Sequence, residues 1–136
     1  MQILKALSGG IMKKTIATDR APKAIGPYSQ GVVFEKLVFV SGQIPIDPAT
    51  GELVGGSIEN QAHRVFKNIE GVLKAAGSDL SKVLKVVIFL KNMDDFAKIN
   101  KIYTEYFKEP FPARAVVEIS RLPKDAIIEA DAIAYN

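Results

Sequence analysis

Few side chains in this sequence are equipped for chemistry, and the most informative is an arginine. Arg114 stands among Ala113, Ala115 and Val116, near the start of a β-prone run. A guanidinium offers a rigid planar fork of donors to both oxygens of a carboxylate, so this setting fits a carboxylate receptor. It fits equally a strand arginine that snorkels to the sheet edge or pairs with Glu118 or Asp131. Glu129 falls on the next run, where it either enters a shared pocket or pairs with a lysine. Asn100 interrupts an apolar helical stripe, four residues after Phe96 and seven before Phe107. A buried amide must find partners, which makes Asn100 a strut or part of a pocket wall. Tyr28 follows Gly26-Pro27 and is either a core aromatic or a lid. Ser41-Gly42 closes a β-prone run, and a glycine there lets a ligand or another chain approach the backbone.

Other chemistries lack their residues. The chain has no cysteine and a single histidine. That excludes disulfides, thiolate metal sites and cysteine nucleophiles, and it suits a cytoplasmic protein. At about 100° per residue His63 falls on the polar side of a helix, among Glu59, Lys67 and Glu70, so a solvated histidine is expected rather than a metal ligand or a triad base. No GxGxxG or P-loop pattern is present. The formal charge is +3, but the basic residues are scattered, with Lys13-Lys14 the longest run, and nucleic acid is not the expected partner. No apolar run approaches the ~20 residues of a membrane span. The first eleven residues, MQILKALSGGI, are too short and too weakly apolar for a signal peptide.

The elements that must position these residues follow from periodicity. β-prone runs cover 14–18, 31–34 and 37–43, the last two joined by Glu35-Lys36 at hairpin spacing. Pro45, Asp47-Pro48 and Gly51 mark a loop up to Gly56. Ser57 is the expected N-cap of a helix that runs to about Ala76 and stops at Gly77. Its apolar stripe is Ile58, Ala62, Val65, Phe66, Ile69, Val72, Leu73 and Ala76. A strand at 83–90 precedes a second helix, capped by Asp94 or Asp95, whose stripe is Phe96, Ile99, Tyr103, Tyr106 and Phe107. Strands at 113–120 and 126–134 close the chain, and Pro123-Lys124-Asp125 between them predicts a hairpin. Two one-sided helices can cover one face of one sheet, which predicts an α+β two-layer sandwich.

Alternation places Arg114, Val116 and Glu118 on one side of their strand, and Ile127, Glu129, Asp131 and Ile133 on one side of theirs. Both sets are expected on the sheet face away from the helices. There Val87, Phe89, Val116, Ile127 and Ile133 would otherwise meet water, so the face reads as a subunit interface holding a polar pocket. In the expected hairpin Glu129 lies near Glu118, several residues along from Arg114. A pocket using both would draw them from different subunits.

Three segments in order carry a family resemblance: APKAIGPYSQ at 21–30, SGQIPIDPATG at 41–51 and PARAVVEISRLPKDAIIEADAI at 112–133. From Lys13 to the end the chain resembles the RidA/YjgF family. The resemblance implies a chorismate-mutase-like fold and a homotrimer with clefts between subunits. It implies hydrolysis of 2-iminobutanoate and 2-iminopropanoate to 2-oxo acids and ammonia, with no cofactor or metal. Arg114 would then clamp the substrate carboxylate, Glu129 would orient or activate water and Tyr28 would close the cleft. Ser41, Gly42, Asn100 and the backbone at Val116 would line it. Many relatives carry cysteine where Val116 stands, so any activity needing that thiol is lost here. Relatives described as 2-oxo-acid-binding regulators or endoribonucleases define the alternatives. Residues 1–12 are expected to form an extension, unstructured or outside the native chain, before a domain at 13–136.

Overall fold

The computed structural model describes residues 2–5 and 12–136. Its strands are β1 (Gln2–Lys5), β2 (Met12–Ile16), β3 (Gly31–Phe34), β4 (Leu37–Gln43), β5 (Val83–Leu90), β6 (Ala113–Glu118) and β7 (Ile128–Tyr135). Its helices are α1 (Ile58–Ala75) and α2 (Phe96–Tyr106). One mixed sheet runs in the order β1-β2-β3-β4-β7-β5-β6. Both helices pack on one of its faces, so the α+β two-layer sandwich is the observed fold.

The core is what the α1 stripe dictates. Ile58, Ala62, Val65, Phe66, Ile69, Val72 and Leu73 are buried against Val38, Val40, Val86, Ile88 and the alanines of β7. Ala130, Ala132 and Ala134 keep that strand thin under the helix. Ser57 caps α1 as expected, its side chain accepting the Asn60 N–H at 3.2 Å. Asp95 stands at the N-cap of α2 but makes no side-chain cap bond. Asn92 instead caps the preceding 3-10 turn, accepting from Asp94 N–H at 2.9 Å.

Three sequence expectations differ from the fold. The first strand of the domain lies at 12–16 rather than 14–18. Gln2–Lys5 pairs antiparallel with it, so the stretch set apart as 1–12 contributes an edge strand, while residues 1 and 6–11 lie outside those described. The third difference matters for function: the last two strands form no hairpin. β6 runs parallel to β5, after the helical crossover of α2, and β7 sits antiparallel on the other side of β5. A tight turn signals a reversal of the chain, not which strand the next one joins.

Gly71 shows how tightly the irregular segment after β2 crosses α1. A Cβ built there would come within 2.8 Å of the Arg20 Cβ and nearer still to the Arg20 carbonyl oxygen. Backbone cannot rotate away as a side chain can. Gly71→Ala is therefore expected to destabilise the fold by about 1–3 kcal/mol, the usual range for overpacking, as measured by denaturant unfolding.

Candidate active site

Strand register decides which of the candidate residues meet. Val86 lies opposite Arg114 on one side and Ala132 on the other, while Phe89 lies opposite Val117 and Glu129. Directly paired residues share a sheet face. Arg114 and Val116 therefore belong to the helix-covered face, with Ala132 and Ala130. Glu129 and Asp131 belong to the open face, with Phe89 and Val87. The expectation that Arg114 and Glu129 share a face fails because β5 stands between their strands. Two strands and three residues separate them, about 14 Å from strand spacing and rise. The chain carries two candidate half-sites.

The first half-site is a cleft of ≈ 840 Å³ whose lining includes Tyr28, Ser41, Gly42, Glu129, Ile25 and Ile44. A bulge builds it. Between Val40 and Gln43 the register of β4 against β7 shifts, from Ala132 to Ala130, so β4 spends one extra residue at Ser41-Gly42. The extra residue presses the Gly42 backbone against Glu129: a Cβ on Gly42 would lie 2.8 Å from Glu129 Oε2. Only glycine leaves that carboxyl its place. Ser41 Oγ donates to the Ser29 carbonyl at 2.5 Å, and Ser41 N–H donates to the Gln30 carbonyl at 3.0 Å. These bonds tie the bulge to the segment carrying Tyr28, whose ring is half exposed at the cleft.

Glu129 is half-buried here, and no cation lies within ion-pair distance of it among the described residues. Burial, and then repulsion from Asp131, raise its pKa above the ordinary carboxylate range. Burial raises Asp131 as well, against the opposing pull of Lys85. A carboxyl with a raised pKa, beside an open cleft, is a stronger proton acceptor once ionised than an ordinary surface carboxylate.

The second half-site is the stacked arginine. Arg114 Nη1 donates to Asn100 Oδ1 at 2.8 Å. Its guanidinium carbon lies 4.7 Å from the Tyr103 ring centroid and 5.6 Å from that of Phe96. Residues 96, 100 and 103 recur at i, i+4 and i+7, so one stripe of α2 holds the guanidinium by two ring faces and an amide. Asn100 therefore acts as a strut for Arg114, and half-buried beside an exposed guanidinium it stays compatible with a place in a pocket wall. The alternative partners of Arg114 are engaged elsewhere. Glu118 accepts from Met93 N–H at 2.9 Å, and Asp131 lies on the other face. The guanidinium stays exposed at the sheet's edge strand, with donors to spare.

Val116 is half-buried on the same face as Arg114, two residues along. His63 is not a solvated histidine. It is half-buried, and its Nδ1 lies 2.7 Å from the Tyr106 hydroxyl, because α2 packs across that side of α1. It lines no part of the cleft.

Two helices packed on one face of a mixed sheet are the architecture of one class of small α+β protein. The family model described as Endoribonuclease L-PSP matches residues 18–136, and the chain belongs to that family, the RidA/YjgF family. It is 56% identical over 125 residues to a RutC family protein from Pyrococcus horikoshii, covering 92% of this chain and 99% of that one. It is 44% identical over 126 residues to the 2-iminobutanoate/2-iminopropanoate deaminase of Homo sapiens, covering 93% and 92%. The solved structure of the YjgF gene product from E. coli superposes with a TM-score of 0.86 at 44% identity, covering 90% of this chain and 98% of that one.

Proposed function

We propose that this chain hydrolyses 2-imino acids, with 2-iminobutanoate and 2-iminopropanoate as the simplest, to 2-oxo acids and ammonia. The site is completed between copies of a homotrimer working in the cytoplasm. The observation that carries this reading is the division of the site. A stacked arginine able to grip a carboxylate and a cleft able to manage a proton are both built, yet one chain cannot bring them to one substrate. The open face supplies a reason to assemble, because Phe39, Val87, Phe89, Val117 and Ile133 share it and Phe39 and Val117 are exposed. Two residues named for that face from the sequence do not belong to it: Val116 lies on the helix side, and Ile127 precedes β7 and packs against the core. Burial at about 25 cal/mol per Å² would make the remaining apolar face a useful source of stability.

In this mechanism Arg114 of one subunit holds the substrate carboxylate, oriented by Asn100 and the two rings. The protonated imine then lies over the cleft of the next subunit, beside Glu129. Water adds to the imine carbon, and its proton passes to Glu129 as the C–O bond forms. Glu129 returns that proton to the nitrogen, and the C–N bond breaks. The carbinol proton leaves with ammonia as ammonium, and the 2-oxo acid remains. Positioning and one proton relay suffice, because a protonated imine is already electrophilic. The name of the human relative supports the same chemistry.

The test is ammonia release from freshly generated 2-iminobutanoate, with light scattering on the same preparation. Accelerated release by a particle of three chains is the expected result. A well-folded monomer at micromolar concentration would remove the shared site. Binding of 2-oxobutanoate without acceleration would leave a regulator, and cleavage of RNA without deamination would restore the activity in the family model's name.

A further inference from the structure

We propose that two buried amides, Gln30 and Asn68, are positioning residues that fasten the two walls of the cleft; their kinetic role rests on the deaminase reading. The walls need fastening. The segment after Pro22, which carries Lys23, Ile25 and Tyr28 to the cleft, is exposed and has no regular structure. The opposite wall, Ile44 to Gly51, is a loop held to itself by a few turn bonds and the Ile46–Leu53 bridge.

Gln30 is 3% exposed, and its amide meets the first wall where that wall begins. Its Oε1 accepts from Thr18 N–H at 2.7 Å, and its Nε2 faces the carbonyls of Thr18, Ala21 and Pro22 at 3.0, 3.1 and 2.7 Å. Its own carbonyl accepts from Ser41 N–H, so one residue joins the Tyr28 wall to the bulge beside Glu129. Asn68 is fully buried on α1 and does the same for the other wall. Its Nδ2 donates to Ile46 O at 2.9 Å and Ile44 O at 3.3 Å, while its Oδ1 accepts from Arg64 Nε at 3.1 Å.

Apolar side chains of similar shape would fill the space at both positions but leave the paired backbone groups without their partners. What an apolar residue cannot do is hold backbone carbonyls in fixed directions. The Gln30 amide and the Asn68 Nδ2 group spend their bonds on backbone that leads into the cleft. A preformed wall also avoids ordering a loop when substrate binds.

The experiment compares the full-length parent with Gln30→Met and Asn68→Leu by amide hydrogen exchange and by deamination kinetics, well below the melting temperature. Gln30→Met is expected to speed exchange at least tenfold across residues 18–28 and leave 44–54 unchanged. Asn68→Leu should do the reverse. Each should lower kcat/KM about tenfold, and Gln30→Asn, which keeps an amide on a shorter stem, should recover part of the loss. Should Gln30→Met not fold, Gln30→Asn carries the exchange test alone, with a smaller rise confined to 18–28. Exchange that rises evenly over the whole chain, or a kcat/KM within twofold of the parent in a destabilised variant, overturns the proposal by making both amides ordinary core struts. A parent that hydrolyses no imine while the two exchange patterns still separate would reject the reaction and leave the anchors standing.

Discussion

Arg114→Lys is expected to cut kcat/KM for 2-iminobutanoate by ten- to a hundred-fold while the assembly stays intact. Lysine keeps the charge, so any loss reports geometry. The guanidinium lies over the rings of Tyr103 and Phe96 with one donor on Asn100, which leaves further donors to meet a carboxylate. An ammonium has no plane to stack and no fork to offer, and a two-point grip becomes one poorly aimed contact. A charge-assisted hydrogen bond is worth roughly 1.5–3 kcal/mol, which sets the size of the effect. Arg114→Ala should lose more, and Asn100→Ala less, because it loosens the guanidinium without removing it. Steady-state kinetics with light scattering on each variant checks the series. Wild-type kinetics in a folded Arg114→Lys would place the carboxylate elsewhere.

How much of this site was legible in the sequence depended on which question was asked of it. Periodicity found α1, α2 and most strands, because one-sided burial forces apolar residues into register with 3.6 or 2. It found the Ser57 cap and the unusual settings of Arg114 and Asn100. Alternation correctly grouped Arg114 with Val116, and Glu129 with Asp131. It could not say how the two groups relate, because that phase is set by the pairing of strands far apart in the chain. The local turn at 123–125 suggested a hairpin, and the hairpin put both groups on one face. The insertion of β5 between β6 and β7 separates them instead. The proposal that two subunits share the site rests on a different observation from the hairpin: the residues lie on opposite faces as well as apart.

The missed residues share a different cause. Gln30 ends a family-like segment and Asn68 sits on the α1 helix, where an amide reads as an ordinary boundary residue. Only the loops folded over them make them buried. His63 was misplaced in the same way, since the angle around α1 is right but α2 and its Tyr106 cover that side. Helical wheels assign faces to one helix, and tertiary packing decides which polar faces stay wet.

The second large effect is expected from Glu129→Gln, and it has opposite signs in rate and stability. The amide cannot take water's proton, so kcat should fall about a hundred-fold or more while 2-oxobutanoate still binds. Burial and Asp131 hold the Glu129 pKa above the ordinary carboxylate range in the folded chain. The folded state therefore prefers this carboxyl protonated. Its contribution to stability is fully present below the ordinary carboxylate pKa and is lost as pH rises through the raised one. Activity runs the other way and climbs as the same group ionises. The parent should show an acid limb in kcat/KM displaced above the ordinary carboxylate range, with melting temperature declining across the same interval. Glu129→Gln removes the charge that is costly to bury, so its melting temperature at neutral pH should be higher than the parent's and flatter through that interval. Asp131 titrates on the same face with a raised pKa of its own, so Asp131→Asn is the control. It should lower the Glu129 limb by removing the repulsion from Asp131 that helps raise it, and leave the rate at neutral pH near the parent's. A Glu129→Gln protein that is both slower and less stable would mean that the carboxylate is held by a partner across the interface rather than left to work as a base. That outcome would move the proton relay to another residue while keeping Arg114 as the clamp.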